Sequence, residues 1–186
     1  MRLFSLLTAA AVLAIPAWTA QIPRPAPAMN IPLTNGTTVT LEQYKGKVVV
    51  LEFMLTTCPA CQKASVALNK VYGELGAKGM QPIGIAINPM ANMLIPDYLK
   101  KFSIDFPIGF NENQDQVKEF LQHPMIQILR VPQLVFIDKK GVIRAQHGGV
   151  DDFFNNEEAN IRAEVEKLLA EPGPAATKTV SSAKKK

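Results

Sequence analysis

Val48-Val49-Val50-Leu51-Glu52-Phe53-Met54-Leu55-Thr56-Thr57-Cys58-Pro59-Ala60-Cys61 is the stretch on which the fold turns. Val48 to Met54 is apolar except for one acid, the pattern of a central strand buried on both faces. Pro59 to Lys78 then places Ala60, Ala64, Leu68, Val71 and Leu75 on one helical face, and Gly79 closes the helix. Cys58 and Cys61 are the only cysteines of the chain and stand at this strand–helix junction. A thiol at a helix N-terminus faces unpaired backbone N–H groups and the positive end of the helix dipole, and both favour thiolate over thiol. A second cysteine three residues on lies about one turn away, close enough to attack a mixed disulfide formed by the first. The spacing supports thiol–disulfide exchange.

On the N-terminal side, Asn35-Gly36 is a hairpin turn signal between Ile31-Pro32-Leu33 and Thr38-Val39-Thr40-Leu41. On the C-terminal side, short strands are expected over Pro82–Ile87 and Phe106–Phe110, with a helix that includes Asp97–Phe102 and a further short helix over Gln114–Gln122. Gln133 to Asp138, the Lys139-Lys140-Gly141 turn and Val142 to His147 read as a second hairpin, broken by Gly148-Gly149. A last helix near Asn156–Ala170 turns Ile161, Val165, Leu168 and Leu169 inward, with Glu158/Arg162 and Arg162/Glu166 as surface pairs. The order is a β-hairpin followed by β-α-β-α-β-α-β-β-α, an α/β class.

The ends differ from this body. Met1-Arg2 followed by the apolar run Leu3–Ile15 has the pattern of a secretory leader, with an uncleaved N-terminal anchor as the alternative over residues 1–20. The run is shorter than the ~20 residues that a spanning helix needs. Three prolines between Gln21 and Met29 mark residues 21–30 as a linker. The folded domain is expected over 31–171, and residues 172–186 as a disordered basic tail. The chain has 20 Lys and Arg against 16 Asp and Glu, a net charge of +4. Five of those cations, Arg2, Lys178, Lys184, Lys185 and Lys186, lie in the two ends, leaving fifteen basic against sixteen acidic residues and a body at −1. The body therefore has no charge reason to bind nucleic acid. Two cysteines in an exported chain point to redox work outside the cytoplasm rather than to a disulfide scaffold.

Leu41-Glu42-Gln43-Tyr44-Lys45-Gly46-Lys47-Val48-Val49-Val50, Cys58-Pro59-Ala60-Cys61, Val131-Pro132 and Phe136-Ile137-Asp138-Lys139-Lys140-Gly141 together resemble the TlpA/ResA branch of extracytoplasmic thioredoxin-like proteins. The resemblance covers about residues 31 to 170. It implies a thioredoxin fold, a central mixed β-sheet flanked by helices, here with an N-terminal β-hairpin extension. It further implies that Cys58 is the exposed attacking thiol, Cys61 the resolving thiol, and Pro132 a cis-proline facing them. A cis Val131–Pro132 bond sets the Val131 backbone beside the sulfurs, where it pairs with a substrate chain as a strand edge. No cofactor or metal is called for. The implied partners are cysteine-containing exported proteins and an upstream membrane thiol–disulfide electron donor, met by a periplasmic or otherwise extracytoplasmic monomer.

Glu52 lies six residues before Cys58, where thioredoxins carry a buried acid. An acid in an apolar strand is costly unless it has a partner or a task. Desolvation should raise its pKa, which suits a proton acceptor for Cys61; a glutamate at a sheet edge paired with lysine is the alternative. Thr57 replaces the tryptophan usual before the first cysteine, and its hydroxyl is either a hydrogen-bond donor to the thiolate or simply exposed. Pro59 is similar to more oxidising relatives, but Ala60 replaces the histidine that usually follows. Thr57, Pro59, Val131 and Pro132 are the candidate substrate contacts, and His123–Arg130 is a longer approach to the proline that shapes a surface near the site.

Two rival activities fit the same fold. A copper-handling module would use Cys58 and Cys61 with Met90, Met93 and His147. A thiol peroxidase would place threonine three residues before its reactive cysteine, but that position is Leu55, and Thr56 and Thr57 are out of register.

Overall fold

The computed structural model describes residues 20–174. The expected leader or anchor and the basic tail lie outside the described residues, apart from Ala20 and residues 172–174. The described elements run β1 (Arg24–Pro25), β2 (Asn30–Pro32), β3 (Thr38–Thr40), β4 (Val48–Met54), α1 (Pro59–Leu75), β5 (Met80–Ala86), α2 (Ala91–Phe102), β6 (Ile108–Phe110), α3 (Gln114–Leu121), β7 (Gln133–Ile137), β8 (Val142–Gly148) and α4 (Glu157–Ala170).

Six strands form one sheet in the order β1-β8-β7-β4-β5-β6, and β2 and β3 form a separate hairpin. β4 pairs parallel with β5 and antiparallel with β7, so the sheet is mixed. Every residue of β4 is buried, as its apolar run implies. Its alternation sorts the core into two layers. Val48, Val50 and Met54 join Leu68 and Val71 of α1, Ile95 of α2 and Ile161 and Val165 of α4. Val49, Leu51 and Phe53 join Ile31 of the hairpin, Val117 and Phe120 of α3, and Val135 of β7. Glu52 is in phase with Val50 and Met54, which sends its carboxyl toward the α1 layer. This is the thioredoxin arrangement expected from the sequence, with helices on both faces of a central mixed sheet.

Three local expectations are corrected and one is extended. Residues 21–30 are not a free linker: Arg24 and Pro25 pair antiparallel with Ile143 and Val142, and the Ala26 N–H donates to Gly141 O at 2.9 Å. The Arg24 guanidinium donates to Phe120 O at 3.0 Å and Gln146 Oε1 at 2.8 Å, anchoring the segment. Proline is tolerated here because the strand is at an edge, and the pairing covers β8. Second, the helix expected to include Asp97–Phe102 is α2, which extends back to Ala91 through Pro96. Ala91, Ile95 and Tyr98 bury one face of it, and that burial outweighs the hydrogen bond lost at proline. Third, Ala60 is exposed; the inward face of α1 starts at Cys61 and continues through Ala64, Ser65 and Leu68. Fourth, Arg162 pairs with Glu158 at 2.9 Å and with Glu74 of α1, not with Glu166, so it ties α4 to α1.

Candidate active site

Cys58 is the N-cap of α1, with Pro59 as the first helical residue. Proline suits that position because its missing N–H is one the helix could not have satisfied internally. The backbone N–H of Cys61 donates to Cys58 Sγ at 3.3 Å. Both cysteines are free, Cys58 partly exposed and Cys61 buried. Burial, then the hydrogen bond with Cys58, push the Cys61 thiol well above its ordinary range. The two thiols therefore have different access to a substrate: one faces solvent, and the other waits behind it.

The turn before Cys58 is held by residues that the sequence did not single out. The Thr56 N–H donates to Asn88 Oδ1 at 2.9 Å, and Gln62 Nε2 donates to Thr56 O at 3.0 Å. The Cys58 N–H donates to Leu55 O at 3.1 Å. Asn88 is a buried amide just after β5; the only signal for it was a polar residue ending an apolar run. Thr57, Pro59 and Ala60 are exposed around the dithiol.

The Val131–Pro132 peptide is cis. Phe53 pairs with Gln133 across antiparallel β4 and β7. The end of β4 that leads to Cys58 and the end of β7 that follows Pro132 thus lie at one end of the sheet. Leu55 and Val131 line a common cavity of about 360 Å³ with Ile87, Ile128 and Leu129. Gln133 Nε2 donates to Arg130 O at 2.7 Å, and a Cβ on Gly149 would come within 2.6 Å of Val131 O. The proline loop is therefore braced on both sides. The preceding segment leaves Ile126 and Ile128 almost wholly exposed, at 97% and 87%.

Glu52 is wholly buried, so the edge position paired with lysine is excluded. Ser65 Oγ donates to its Oε2 at 2.8 Å. Burial pushes the Glu52 carboxyl up to about 8, the Ser65 hydrogen bond pulls it down, and the charge of Glu157 raises it further. Ser65 and its partner Tyr98 were not singled out in the sequence either. The only hint was the serine at i+4 from Cys61 on the same helical face.

The copper-ligand candidates are dispersed in role. Met90 and Met93 are exposed at the start of α2. His147 is stacked on Phe153 at 4.0 Å between centroids, and its Nδ1 faces Asp151 at 3.6 Å. Among the described residues, no group of three or more His, Cys, Asp and Glu side chains is arranged to hold a metal ion. No helix there is long and apolar enough to cross a membrane.

Comparison with known proteins agrees with this geometry. Residues 22–146 match the AhpC/TSA family. A thiol-disulfide oxidoreductase ResA of Bacillus thuringiensis is 24% identical over 123 residues, covering 66% of this chain and 67% of that protein. A peroxiredoxin of Aquifex aeolicus is 30% identical over 128 residues, covering 65% of this chain and 58% of that protein. The crystal structure of a thiol:disulfide interchange protein of Chlorobium tepidum superimposes with a TM-score of 0.67 at 22% identity, covering 81% of this chain and 99% of that one. That last likeness establishes the thioredoxin fold.

Proposed function

This chain belongs to the AhpC/TSA family, and within it we propose that the chain reduces disulfides of exported proteins through Cys58 and Cys61. It is a thiol–disulfide oxidoreductase of the thioredoxin superfamily. The observation that carries the proposal is the asymmetry of the dithiol: a partly exposed cysteine caps the helix, and its buried partner donates a backbone N–H to the same sulfur.

The reaction follows from that asymmetry. The Cys58 thiolate attacks one sulfur of a substrate disulfide, a mixed disulfide forms, and the other substrate sulfur leaves as thiolate. Cys61 then loses its proton to Glu52 and attacks Cys58 Sγ. The Cys58–Cys61 bond forms, and the second substrate sulfur leaves. The protein loses two electrons and the substrate gains them. An upstream thiol–disulfide donor at the membrane restores the dithiol. Val131 and Pro132 offer a strand edge to an extended substrate, and exposed Thr57 and Pro59 border the sulfur. The cavity beside the proline loop, lined by Leu55, Val131 and Ile128 but also by Gln114, Lys118 and Gln127, and the bare Ile126 and Ile128 suit a polypeptide better than a small thiol.

An extracytoplasmic site of action rests on the charged and then apolar pattern of Met1–Ile15. Apocytochrome c is one exported substrate of the right chemistry. The direction of electron flow is read from the reduction potential. A value near −270 mV marks a reductant, and one near about −120 mV an oxidant.

The test is to mix the reduced protein with insulin and, separately, with hydrogen peroxide or copper(I). Release of two insulin thiols per Cys58–Cys61 disulfide formed is the expected result. Turnover of peroxide without exchange would instead support the peroxidase, which the Aquifex relative favours. Tight copper(I) binding that is lost when Met90 and Met93 are replaced would support the metal module.

A further inference from the structure

Beneath the dithiol, three side chains form a line of hydrogen bonds. Tyr98 Oη donates to Ser65 Oγ at 2.8 Å, and Ser65 Oγ donates to Glu52 Oε2 at 2.8 Å. A serine hydroxyl has one proton and accepts through its lone pairs. With its proton given to the carboxyl, Ser65 is left to accept from Tyr98, so both hydroxyl protons point toward Glu52. The Met54 thioether, 3.8 Å from Ser65 Oγ, is the weaker claimant on that proton.

The three residues come from three elements and are all buried: Glu52 and Ser65 at 0% exposure and Tyr98 at 4%. Ser65 lies one turn beyond Cys61 on the inward face of α1. The other carboxyl oxygen, Glu52 Oε1, is buried and has no hydrogen-bond partner. An open buried acceptor is costly, and such a group in a native fold calls for a reason. A proton can come and go at Oε1 while Oε2 stays engaged with Ser65.

We infer that Tyr98 and Ser65 are positioning residues for the resolving step: their relay holds Oε2 and confines the exchangeable proton of Glu52 to Oε1, the atom that takes the proton of Cys61. This rests on the proposed role of Glu52 as proton acceptor. In the step, the Cys61 S–H bond breaks and the Oε1–H bond forms. The new thiolate attacks Cys58 Sγ, the Cys58–Cys61 bond forms, and the substrate sulfur leaves with the electron pair of the broken mixed disulfide. Ser65 and Tyr98 lose no proton; they orient and stabilise the ionised carboxylate.

The groups acting on Glu52 come from each element of that layer. Cys61, in the first turn of α1, and Tyr98, of α2, both feel the charge of Glu52. Glu157 opens α4 and is itself paired with Lys63 of α1 at 3.3 Å. The β5 and β7 register neighbours, Gly84 and Leu134, carry no charge.

The test reads the protonation of Glu52 directly, by infrared titration of its carboxyl stretch in the reduced protein, with the band assigned by Glu52→Gln. The rate of mixed-disulfide resolution is followed across the same pH range. Ser65→Ala should move both midpoints upward by about one pH unit, because a hydrogen bond to the ionised form is lost. Tyr98→Phe should move them in the same direction by less. Ser65→Thr, which keeps the hydroxyl, should restore the wild-type midpoints. Unshifted midpoints in both Ser65→Ala and Tyr98→Phe, with a rate profile still flattened by Glu52→Gln, would overturn the relay and leave Glu52 as acceptor. A rate profile unaffected by Glu52→Gln would remove the acceptor role itself, and the relay with it. Should Ser65→Ala not fold, Tyr98→Phe decides alone: an upward shift supports the relay, and an unshifted midpoint overturns it.

Discussion

The backbone N–H of Cys61 donates to the sulfur of Cys58 at 3.3 Å, so one cysteine caps the helix whose first turn carries the other. The cap leaves Cys58 partly exposed and draws Cys61 into the core at 0% exposure. The difference in exposure between the two thiols is set by this single turn of helix.

Brief iodoacetamide treatment of the reduced protein at neutral pH should label Cys58 at least about tenfold faster than Cys61. Only the thiolate of an accessible cysteine reacts, and burial holds Cys61 protonated. Peptide mass spectrometry resolves the two sites. Preferential labelling of Cys61 would reverse their roles.

Cys61→Ser should accumulate mixed disulfides with exported cysteine proteins, since the second attack is lost. Cys58→Ser should accumulate few, because the remaining thiol is buried. Non-reducing gels of the two variants expressed in parallel make the comparison. Equal trapping by both variants is incompatible with a two-step mechanism.

Glu52 should impose a pH dependence on stability. Its folded pKa is raised to about 8, well above the ~4.3 of an unfolded glutamate. Between those values the folded state holds a proton that the unfolded state has released, so stability falls as pH rises through this window and levels off above it. Thermal melts of the reduced wild type and Glu52→Gln, run from pH 4 to 9, isolate the contribution. The difference in Tm should grow in favour of Glu52→Gln from about pH 5 to about pH 8. A constant difference across that range would show that Glu52 does not titrate there.

Gly149→Ala should damage the proline loop, because the added Cβ would meet Val131 O at 2.6 Å and Val131 C at 2.8 Å. Backbone cannot yield as a flexible side chain can. A loss of roughly 1–3 kcal/mol is expected, together with slower attack on protein disulfides. Urea melts and stopped-flow mixing with insulin measure the two effects. Wild-type values in both would mean that the loop has more slack than its contacts imply.

Arg24→Ala should cost roughly 1–3 kcal/mol, since it strips the hydrogen bonds to Phe120 O and Gln146 Oε1 that anchor β1. Amide exchange should also rise at Ala26, whose N–H is bound to Gly141 O. Unchanged exchange there would mean that β1 is held by its backbone pairing alone.

Much of the fold was legible because its signals are local. The apolar run of β4 is buried at all seven positions, and Gly79 ends the α1 region at a left-handed φ of 108°. Asn35-Gly36 joins strands paired from Asn30↔Thr40 to Pro32↔Thr38. Where the sequence misled, a local rule met a distant partner. Pro96 hid the first turns of α2, and the prolines of residues 21–30 hid a two-residue edge strand that exists only because β8 lies beside it.

The same division runs through the site. The dithiol at a strand–helix junction, the acid six residues upstream and the proline before a hairpin are properties of spacing, and the amino-acid sequence by itself determined them. Tertiary structure alone decided which groups complete them. Ser65 reaches Glu52 across 13 residues, Tyr98 reaches Ser65 across 33, and Asn88 reaches Thr56 across 32. A polar side chain in a sequence carries no mark of the partner that will satisfy it. That partner is chosen when the sheet and its helices pack, because only then does burial make an unpaired donor or acceptor too costly to leave alone.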